Sequence, residues 1–328
     1  MGSIETNSAE QRRVAVVGSL NVDILWRVGK LPRPGSTVLA TQVHEDYGGK
    51  GANQAVAAAR QGAQVTMIGA VGDDEHGRRY RAHLADEGIT FVPTQGTPNA
   101  SLRTGLANIY VDPCGENMIV VHAGANADVS APAVAEALRR ELRAGDILVL
   151  QLEVPIAVVQ AAFAVAAEQR AITIFNAAPH LAEWRWGQRE IDIVVVNEHE
   201  CRDYFAREAD SLLGLTAKEA VAFLQPWSAR HLVITRGDQS TLWLSDRGVV
   251  AVPIYPVTPI DTVGAGDTFV GAFAAALAGG LSMTTAVYRA NLAAAISTLG
   301  HGAQAAMPRL SQVLERESAA GSSINVHS

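Results

Sequence analysis

The chain has 328 residues, of which 48% are hydrophobic and 18% charged, a composition typical of a folded protein and long enough to bury a large core. Its net charge of −7 argues against a protein that binds nucleic acid over its whole surface, and its two cysteines exclude a disulfide scaffold. No 18-residue apolar run or secretory leader pattern is found, so we expect a soluble, cytoplasmic protein without a membrane partner.

Apolar strands and helices alternate along most of the chain. Residues 1–12 and 317–328 read as flexible tails, and between them no linker divides the chain. The spacing predicts strands at 13–19, 64–70, 146–152, 171–175, 191–196 and 231–235. It predicts helices at 51–62, 75–88, 155–169, 197–206, 217–228, 265–278 and 282–298. This alternation is typical of an α/β fold with a mainly parallel sheet flanked by helices.

Two segments, 21–46 and 101–121, depart from this alternation. They contain strand-like stretches joined by turn residues such as Pro113, Gly115 and Asn117, with no helix inside either segment. We interpret them as a small antiparallel β lid that projects from the α/β body. Ligands bind at the carboxyl edge of open sheets, where such a lid excludes water. An additional sheet layer that does not move is an equally good interpretation of the pattern.

The sequence IDTVGAGDTF at 260–269 stands directly before a predicted helix. The small residues Gly264, Ala265 and Gly266 leave backbone N–H groups accessible at the helix N-terminus, which favours anions. Asp267 lies in the same turn, where a carboxylate can take a proton from a hydroxyl while the anion site stabilises a phosphoryl group. An ordinary helix cap is the alternative interpretation of this aspartate.

Further polar residues stand where the predicted strands end. In YGGKGANQ, at 47–54, the glycines allow close approach of a ligand, while Lys50 and Asn53 offer hydrogen bonds. This loop matches neither a Walker A motif nor a dinucleotide fingerprint, and it can equally be a simple turn. The other strand ends carry small polar or acidic groups suited to sugar hydroxyls or to Mg²⁺ held through water, or else to turns and helix caps; they are Asn21, Asp23, Glu153, Asn197 and Glu200.

Taken together, these motifs resemble the ribokinase (PfkB-type) family of sugar kinases. The resemblance covers roughly residues 13–309 and rests on GSLNVD, GGKGANQAVAAAR, GENMIVVHAGANA, LQLE, VNEHE, ITRG, DTVGAGDTF and GHGAQAAMP. It implies a three-layer ribokinase-like fold with a lid, and ATP-dependent phosphorylation of D-ribose to D-ribose 5-phosphate by direct in-line transfer. The alternatives are a kinase for 2-deoxyribose, another pentose or a nucleoside, and a non-catalytic sugar-binding sensor.

The resemblance also assigns roles to individual residues. Asp267 is implied as the general base, with Gly264, Ala265 and Gly266 as the anion hole. The implied sugar contacts are Asn21, Asp23, Gly49, Lys50, Asn53, Glu153 and Asp267. The implied ATP contacts are Asn197, Thr235, Gly237 and Asn291, and Asn197 and Glu200 are implied to place Mg²⁺.

A monovalent-cation site, normally for K⁺, is a further implication of the resemblance. Its expected positions are Asp261, Val263, Ser297, Gly300 and Gly302. Ala306 stands where the family commonly has a serine, a departure that removes one possible ligand, so activation by K⁺ is a hypothesis at this point. The family's lid also forms a dimer contact, so the resemblance implies a homodimer.

Overall fold

The structure is a computed structural model that describes residues 12–96 and 102–320. Most of the two predicted tails, at 1–11 and 321–328, lies outside the described residues, as does residue 101 at the start of a predicted lid segment. The second tail was predicted to begin at Glu317. The structure corrects that boundary, because a helix that begins at Leu310 continues through Ala320.

The main sheet has nine strands in the described part of the chain. Its strands are β1 (Val14–Val17), β4 (Val65–Gly69), β5 (Thr90–Pro93), β8 (Ile147–Leu150), β9 (Ile172–Asn176), β10 (Ile191–Asn197), β11 (Ala229–Arg236), β12 (Gln239–Ser245) and β13 (Gly248–Val252). Their spatial order is β13-β12-β11-β10-β9-β8-β1-β4-β5. All pairs from β11 to β5 are parallel, whereas β12 and β13 form an antiparallel edge. The predicted mainly parallel sheet is thus confirmed.

Helices cover both faces of this sheet and complete three layers. They are α1 (Lys50–Arg60), α2 (Glu75–Asp86), α3 (Ala131–Glu141), α4 (Ile156–Gln169), α5 (Glu198–Phe205), α6 (Ala217–Leu224), α7 (Ala265–Ala278), α8 (Met283–Ser297), α9 (Ala303–Ala306) and α10 (Leu310–Ala320). Alternate strand residues point to opposite faces, so each face has its own core. Helices α1, α2, α7, α8 and α10 contribute to one core, and α3, α4, α5 and α6 to the other.

Four strands outside the main sheet form the lid: β2 (Asn21–Val28), β3 (Ala40–Gly48), β6 (Gly105–Val111) and β7 (Asn117–His122). They pair in the order β3-β2-β6-β7. Strands β2 and β3 are antiparallel, as are β6 and β7, so the predicted small sheet of hairpins is present. The central strands β2 and β6 run parallel, however, because each leaves the body at its first residue.

Several elements were not predicted from the sequence. They are β5, helices α3, α9 and α10, and the hairpin of β12 and β13 at the sheet edge. The hairpin strands are partly exposed, so their apolar residues do not form the continuous buried run that marks the parallel strands. The helix predicted at 217–228 ends earlier, at Leu224, and continues as a 3₁₀ turn through Trp227.

Candidate active site

The candidate site lies where β1, β8 and β10 end and where α1 and α7 begin. Parallel strands bring their carboxyl ends to one edge of the sheet, and the chain then turns back into a helix. Gly49 precedes α1 with a φ of 86°, and a Cβ there would lie 2.8 Å from the backbone nitrogen of Asn21. The lid strand β2 therefore approaches the start of α1 closely because residue 49 has no side chain.

Asp267 stands in the first turn of α7 and is 7% exposed. Two adjacent residues of α1 donate to its carboxylate: Asn53 Nδ2 to Oδ2 at 2.9 Å and Gln54 Nε2 to Oδ1 at 2.9 Å. Each carboxylate oxygen can accept more than one hydrogen bond, so capacity to accept a further proton remains. This arrangement holds the carboxylate in one orientation while leaving it available for acid–base chemistry.

The helix that carries Asp267 begins with uncapped N–H groups. Gly264, the N-cap, adopts the left-handed φ of 75° and provides no side chain to cap the turn. The N–H of Ala265 donates to the carbonyl of Thr262 at 3.2 Å. Within residues 12–96 and 102–320, the N–H groups of Gly264, Gly266 and Asp267 have no hydrogen-bond partner. The start of α7 thus presents unpaired donors, the arrangement that binds anions.

Lys50 supplies positive charge beside this helix start. Its backbone N–H donates to Glu153 Oε2 at 3.0 Å, and the same oxygen accepts from Ser19 Oγ at 2.6 Å. The nearby carboxylate of Asp267 raises the pKa of the Lys50 amine, with smaller contributions from Glu153 and Glu200, against the opposing effect of burial. The lysine therefore keeps its charge among three acidic groups that surround it.

Asp23 is the acidic group whose titration the fold changes most clearly at this site. Burial raises its pKa to about 7, and the negative charges of Glu153, Asp46 and Asp267 contribute further. Asp46 lies directly opposite Asp23 on the neighbouring lid strand, where like charges repel. Ionised Asp23 is therefore costly in the free protein.

This cost makes stability depend on pH. The folded-state pKa of Asp23 exceeds its ordinary value, so its contribution to stability is present at low pH and is lost as pH rises from about 4 to about 7. We expect Asp23→Asn to be about 1–2 kcal/mol more stable relative to the parent at pH 8 than at pH 5. Denaturant unfolding at both pH values measures the difference. An equal effect of the substitution at both would contradict the shifted titration.

Asn21 is 7% exposed and is held by a residue that sequence reasoning missed. Asn126 Nδ2 donates to Asn21 Oδ1 at 2.8 Å and to the Leu20 carbonyl at 3.1 Å, while Asn126 Oδ1 accepts from the Leu20 N–H at 2.9 Å. The side chain of Asn126 thus fixes the junction between β1 and the lid. Its position in the motif HAGAN, at 122–126, was the available signal.

A second group of predicted residues follows β10 and β11. Asn197 and Thr235 are neighbours in the sheet, and Gly237 turns the chain with a φ of 56°. Asn197 and Glu200 form a reciprocal helix cap: Asn197 Oδ1 accepts from the Glu200 N–H and Glu200 Oε2 from the Asn197 N–H, both at 2.8 Å. Burial raises the pKa of Glu200, while Lys50 and the Asn197 N–H act in the opposite direction.

The capping geometry limits how this pair can hold a metal. In the described residues, no cluster of three or more His, Cys, Asp or Glu could hold a metal ion. Glu200 Oε1 makes no hydrogen bond there, so a partly buried carboxylate oxygen remains for a cation or its water. Oxygen ligation supplemented by water and phosphate fits Mg²⁺, whereas direct ligation by Asn197 Oδ1 would break the cap.

Asn291 does not join either group through its side chain. It is 6% exposed on α8, where its Oδ1 accepts from Thr241 Oγ1 at 2.7 Å and its Nδ2 donates to the Pro253 carbonyl at 3.1 Å. These bonds tie α8 to β12 and to the segment after β13. The structure therefore gives Asn291 a role in packing, and contact with a nucleotide stays a prediction.

The predicted cation positions lie in two loops that touch. Asp261 accepts from the N–H groups of Val263 and Gly302, both at 3.0 Å. The Ser297 hydroxyl donates to the Ala294 carbonyl at 2.8 Å, and the methyl group of Ala306 packs 3.0 Å from the position of a Cβ on Gly300. In the described part of the chain, the carbonyls of Val263 and Gly300 accept no hydrogen bond. Backbone oxygens are thus available there for a cation, without a side-chain ligand at 306.

Known carbohydrate kinases are similar to this chain in sequence and in fold. A family model described as pfkB family carbohydrate kinase matches residues 11–310. The chain is 37% identical to a ribokinase of Bacillus subtilis over 304 residues, 93% of this chain and 99% of the relative. It is 32% identical to a deoxyribokinase of Salmonella typhi over 303 residues, 92% of this chain and 97% of the relative. The structure of Arabidopsis thaliana ribokinase complexed with ribose and ATP superposes with a TM-score of 0.74 at 26% identity, covering 93% of this chain and 98% of that one.

Proposed function

The chain belongs to the pfkB family of carbohydrate kinases, and from this membership and the site geometry we propose that it transfers the γ-phosphoryl group of ATP to the primary hydroxyl of D-ribose. The observation that carries the proposal is the start of α7, where the Asp267 carboxylate and the unpaired N–H groups of Gly264 and Gly266 share one turn. A base and an anion site in contact are what direct phosphoryl transfer to a hydroxyl requires.

The proposed reaction is a single in-line displacement. The sugar oxygen attacks the γ-phosphorus, the bond from that phosphorus to the leaving ADP oxygen breaks, and the hydroxyl proton passes to Asp267. The open N–H groups at the start of α7 and the charge of Lys50 stabilise the negative charge on the transferred oxygens. We assign the sugar contacts to Asn21, Asp23, Gly49, Lys50, Asn53 and Glu153. The close approach of β2 to the start of α1, and the bond from the Lys50 N–H to Glu153, support this assignment.

ATP is assigned to the adjacent edge, at Asn197, Thr235 and Gly237. Magnesium, when bound with the nucleotide, would neutralise phosphate charge, and Glu200 would hold it directly or through water. The spare Glu200 oxygen supports this assignment. The charge of Lys50 also acts on both Glu200 and Asp267, so the two halves of the site are electrostatically connected.

The proposal is tested by measuring ADP release with Mg-ATP across ribose, 2-deoxyribose, fructose, arabinose and adenosine. We expect ribose to have the highest kcat/KM, because charged groups placed for hydroxyls lose most when a hydroxyl is missing. A preference for 2-deoxyribose would keep the chemistry and change the substrate to that of the Salmonella relative. No turnover with any sugar, while ribose still binds by calorimetry, would favour a sugar-binding sensor.

We also propose that K⁺ binds where the loop around Asp261 meets the loop around Gly302. The carbonyls of Val263 and Gly300, which accept no hydrogen bond from the described residues, support the site, and its position beside Gly264 would steady the anion-binding turn. Replacing K⁺ by tetramethylammonium is expected to lower kcat several-fold without unfolding the protein. Equal activity in both salts would indicate that a chain with Ala306 no longer uses the cation.

A homodimer formed through the lid completes the proposal. Consecutive residues of β7 point to opposite faces, and Met118, Ile119, Val120 and Val121 are 39–59% exposed, so both faces of the strand are apolar and uncovered. One face can close over the sugar and the other can pair with a second copy. Sedimentation measures the mass of the assembly and so tests the homodimer.

No helix in the described residues is long and apolar enough to cross a membrane. Dependence on ATP favours a location in the cytoplasm.

A further inference from the structure

We propose that two chains of side-chain amides, ending at Gln151 and Gln304, are positioning elements that hold the Asp267 carboxylate in the orientation needed for proton transfer. The inference rests on the proposed function, because it takes Asp267 to be the base. Gln151 is 0% exposed and Gln304 is 2% exposed, so both act on the reaction through other side chains.

The first chain reaches Oδ1 of Asp267. An ionised carboxylate can only accept, so the Gln54 atom that faces it at 2.9 Å must be the donor Nε2. This orientation turns Gln54 Oε1 toward Gln151, whose Nε2 donates to it at 2.6 Å. Gln54 Nε2 also donates to Asn176 Oδ1 at 3.0 Å, and Asn176 Nδ2 donates to the Val195 carbonyl at 3.2 Å. The bonds to Asp267 and Asn176 therefore orient Gln54, and Gln54 orients Gln151, whose Oε1 has no hydrogen-bond partner in the described residues.

The second chain reaches Oδ2 of the same carboxylate by the same logic. Asn53 presents Nδ2 to Asp267 at 2.9 Å, which turns its Oδ1 toward Gln304. Gln304 Nε2 donates to that oxygen at 2.9 Å and to the Tyr80 hydroxyl at 3.0 Å. Gln304 Oε1 then faces His83 Nε2 at 2.8 Å, which must carry a proton. The hydrogen bonds of this amide chain thus all point from donor to acceptor in one direction, from His83 on helix α2 toward Asp267.

The far ends of both chains disfavour flipping of the near amides. If Gln54 rotated by half a turn, its Oε1 would face the Asp267 carboxylate and its NH₂ group would face that of Gln151. Both contacts are unfavourable where the side chains are buried, as Gln54 and Gln151 are. A carboxylate that loses a donor is free to rotate, and a displacement of about 1 Å lowers a rate by about 100-fold. Gln151 and Gln304 therefore act on orientation.

The test compares Gln151→Met, which removes the donor at similar length, with Gln151→Glu, which places an acceptor there. Gln61 is the matched control, since it is a glutamine 7% exposed at the end of α1 whose Nε2 donates to the Pro308 carbonyl at 2.8 Å, away from Asp267. Gln61→Met and Gln61→Glu carry the same chemical changes. For each protein, kcat, KM for ATP, the ribose dissociation constant and the melting temperature are measured.

We expect Gln151→Met to lower kcat about 10-fold and Gln151→Glu about 100-fold, because the acceptor actively draws the Gln54 amide into the flipped orientation. The ribose dissociation constant and KM for ATP should stay within about two-fold, since neither Gln54 nor Gln151 is among the assigned substrate contacts. The Gln61 variants should have a lower melting temperature, with kcat, KM for ATP and the ribose dissociation constant unchanged. An unchanged kcat, a parallel loss of ribose binding, a milder effect of Glu than of Met, or an equal kcat loss in the controls would each overturn the inference.

If the Gln151 variants do not fold, Gln304→Met and Gln304→Glu decide the question by kcat in the same way. Asp267→Asn, measured beside them, separates the two proposals. A kcat of Asp267→Asn within about ten-fold of the parent would remove the base and with it this inference. A strongly impaired Asp267→Asn together with a normal kcat in the glutamine variants would overturn the amide chains alone and leave the proposed function standing.

Discussion

Asp267→Asn is expected to lower kcat by about three orders of magnitude, within the range that a positioned general base contributes. The substitution keeps the shape of the side chain, so packing around a residue that is 7% exposed should change little. The amide, however, cannot take the hydroxyl proton, and it presents its own NH₂ to an amide donor, either Asn53 or Gln54. Steady-state ADP release with saturating ribose and Mg-ATP measures the effect.

Ribose binding by calorimetry is the control for Asp267→Asn. Because most of the assigned sugar contacts lie elsewhere, on β2, α1 and after β8, we expect binding to remain detectable. Asn176→Ala offers a second comparison of kcat. It removes an amide that accepts from Gln54 in the same buried network, while leaving the side chain of Asp267 and its two donors in place. Turnover of Asp267→Asn within about ten-fold of the parent would remove Asp267 from the role of base.

The parallel core of the fold could be predicted because its strands are buried on both faces. Strands such as β1, β8 and β10 appear in the sequence as short continuous apolar runs, and the helices between them are long enough to mark crossovers. The lid differs because its order is set by tertiary pairing. Alternation along β2 and β6 identifies strands, but nothing local reveals that these two run parallel to each other. The exposed hairpin of β12 and β13 was missed for a related reason.

Positions in the candidate site were predictable where a motif stands at a strand or helix end. Asp267, Asn53 and Glu153 lie close together because parallel strands and the helices after them share one edge. Their buried partners were not predictable, because Gln54, Gln151 and Gln304 come from three distant segments and meet only in the folded chain. Asn197 and Glu200 could be located from the sequence, but their role could not. Spacing alone does not separate a helix cap from a metal site, and the structure shows the cap.

Gly266→Val is expected to slow phosphoryl transfer strongly while leaving the fold intact. Apart from its chain neighbours and its own helix, no heavy atom of the described residues lies within 4 Å of a Cβ placed on Gly266, so the added side chain enters open space. That space adjoins the unpaired N–H groups of Gly264 and Asp267, where the transferred phosphoryl group is proposed to lie. A branched side chain would occupy the anion site, and we expect kcat/KM to fall about 1000-fold, comparable to the loss of a principal oxyanion donor.

Gly264→Ala is the contrasting variant in the same turn. Gly264 has a φ of 75°, and a Cβ there would lie 2.9 Å from the Cα of Ala303, so this smaller change is expected to lower the melting temperature. The pair therefore separates occlusion from misfolding: Gly266→Val should melt near the parent temperature and have a strongly lowered kcat/KM, whereas Gly264→Ala should melt earlier. Normal kinetics in a folded Gly266→Val would show that the phosphoryl group does not pass over this turn, because no valine could share that space with it.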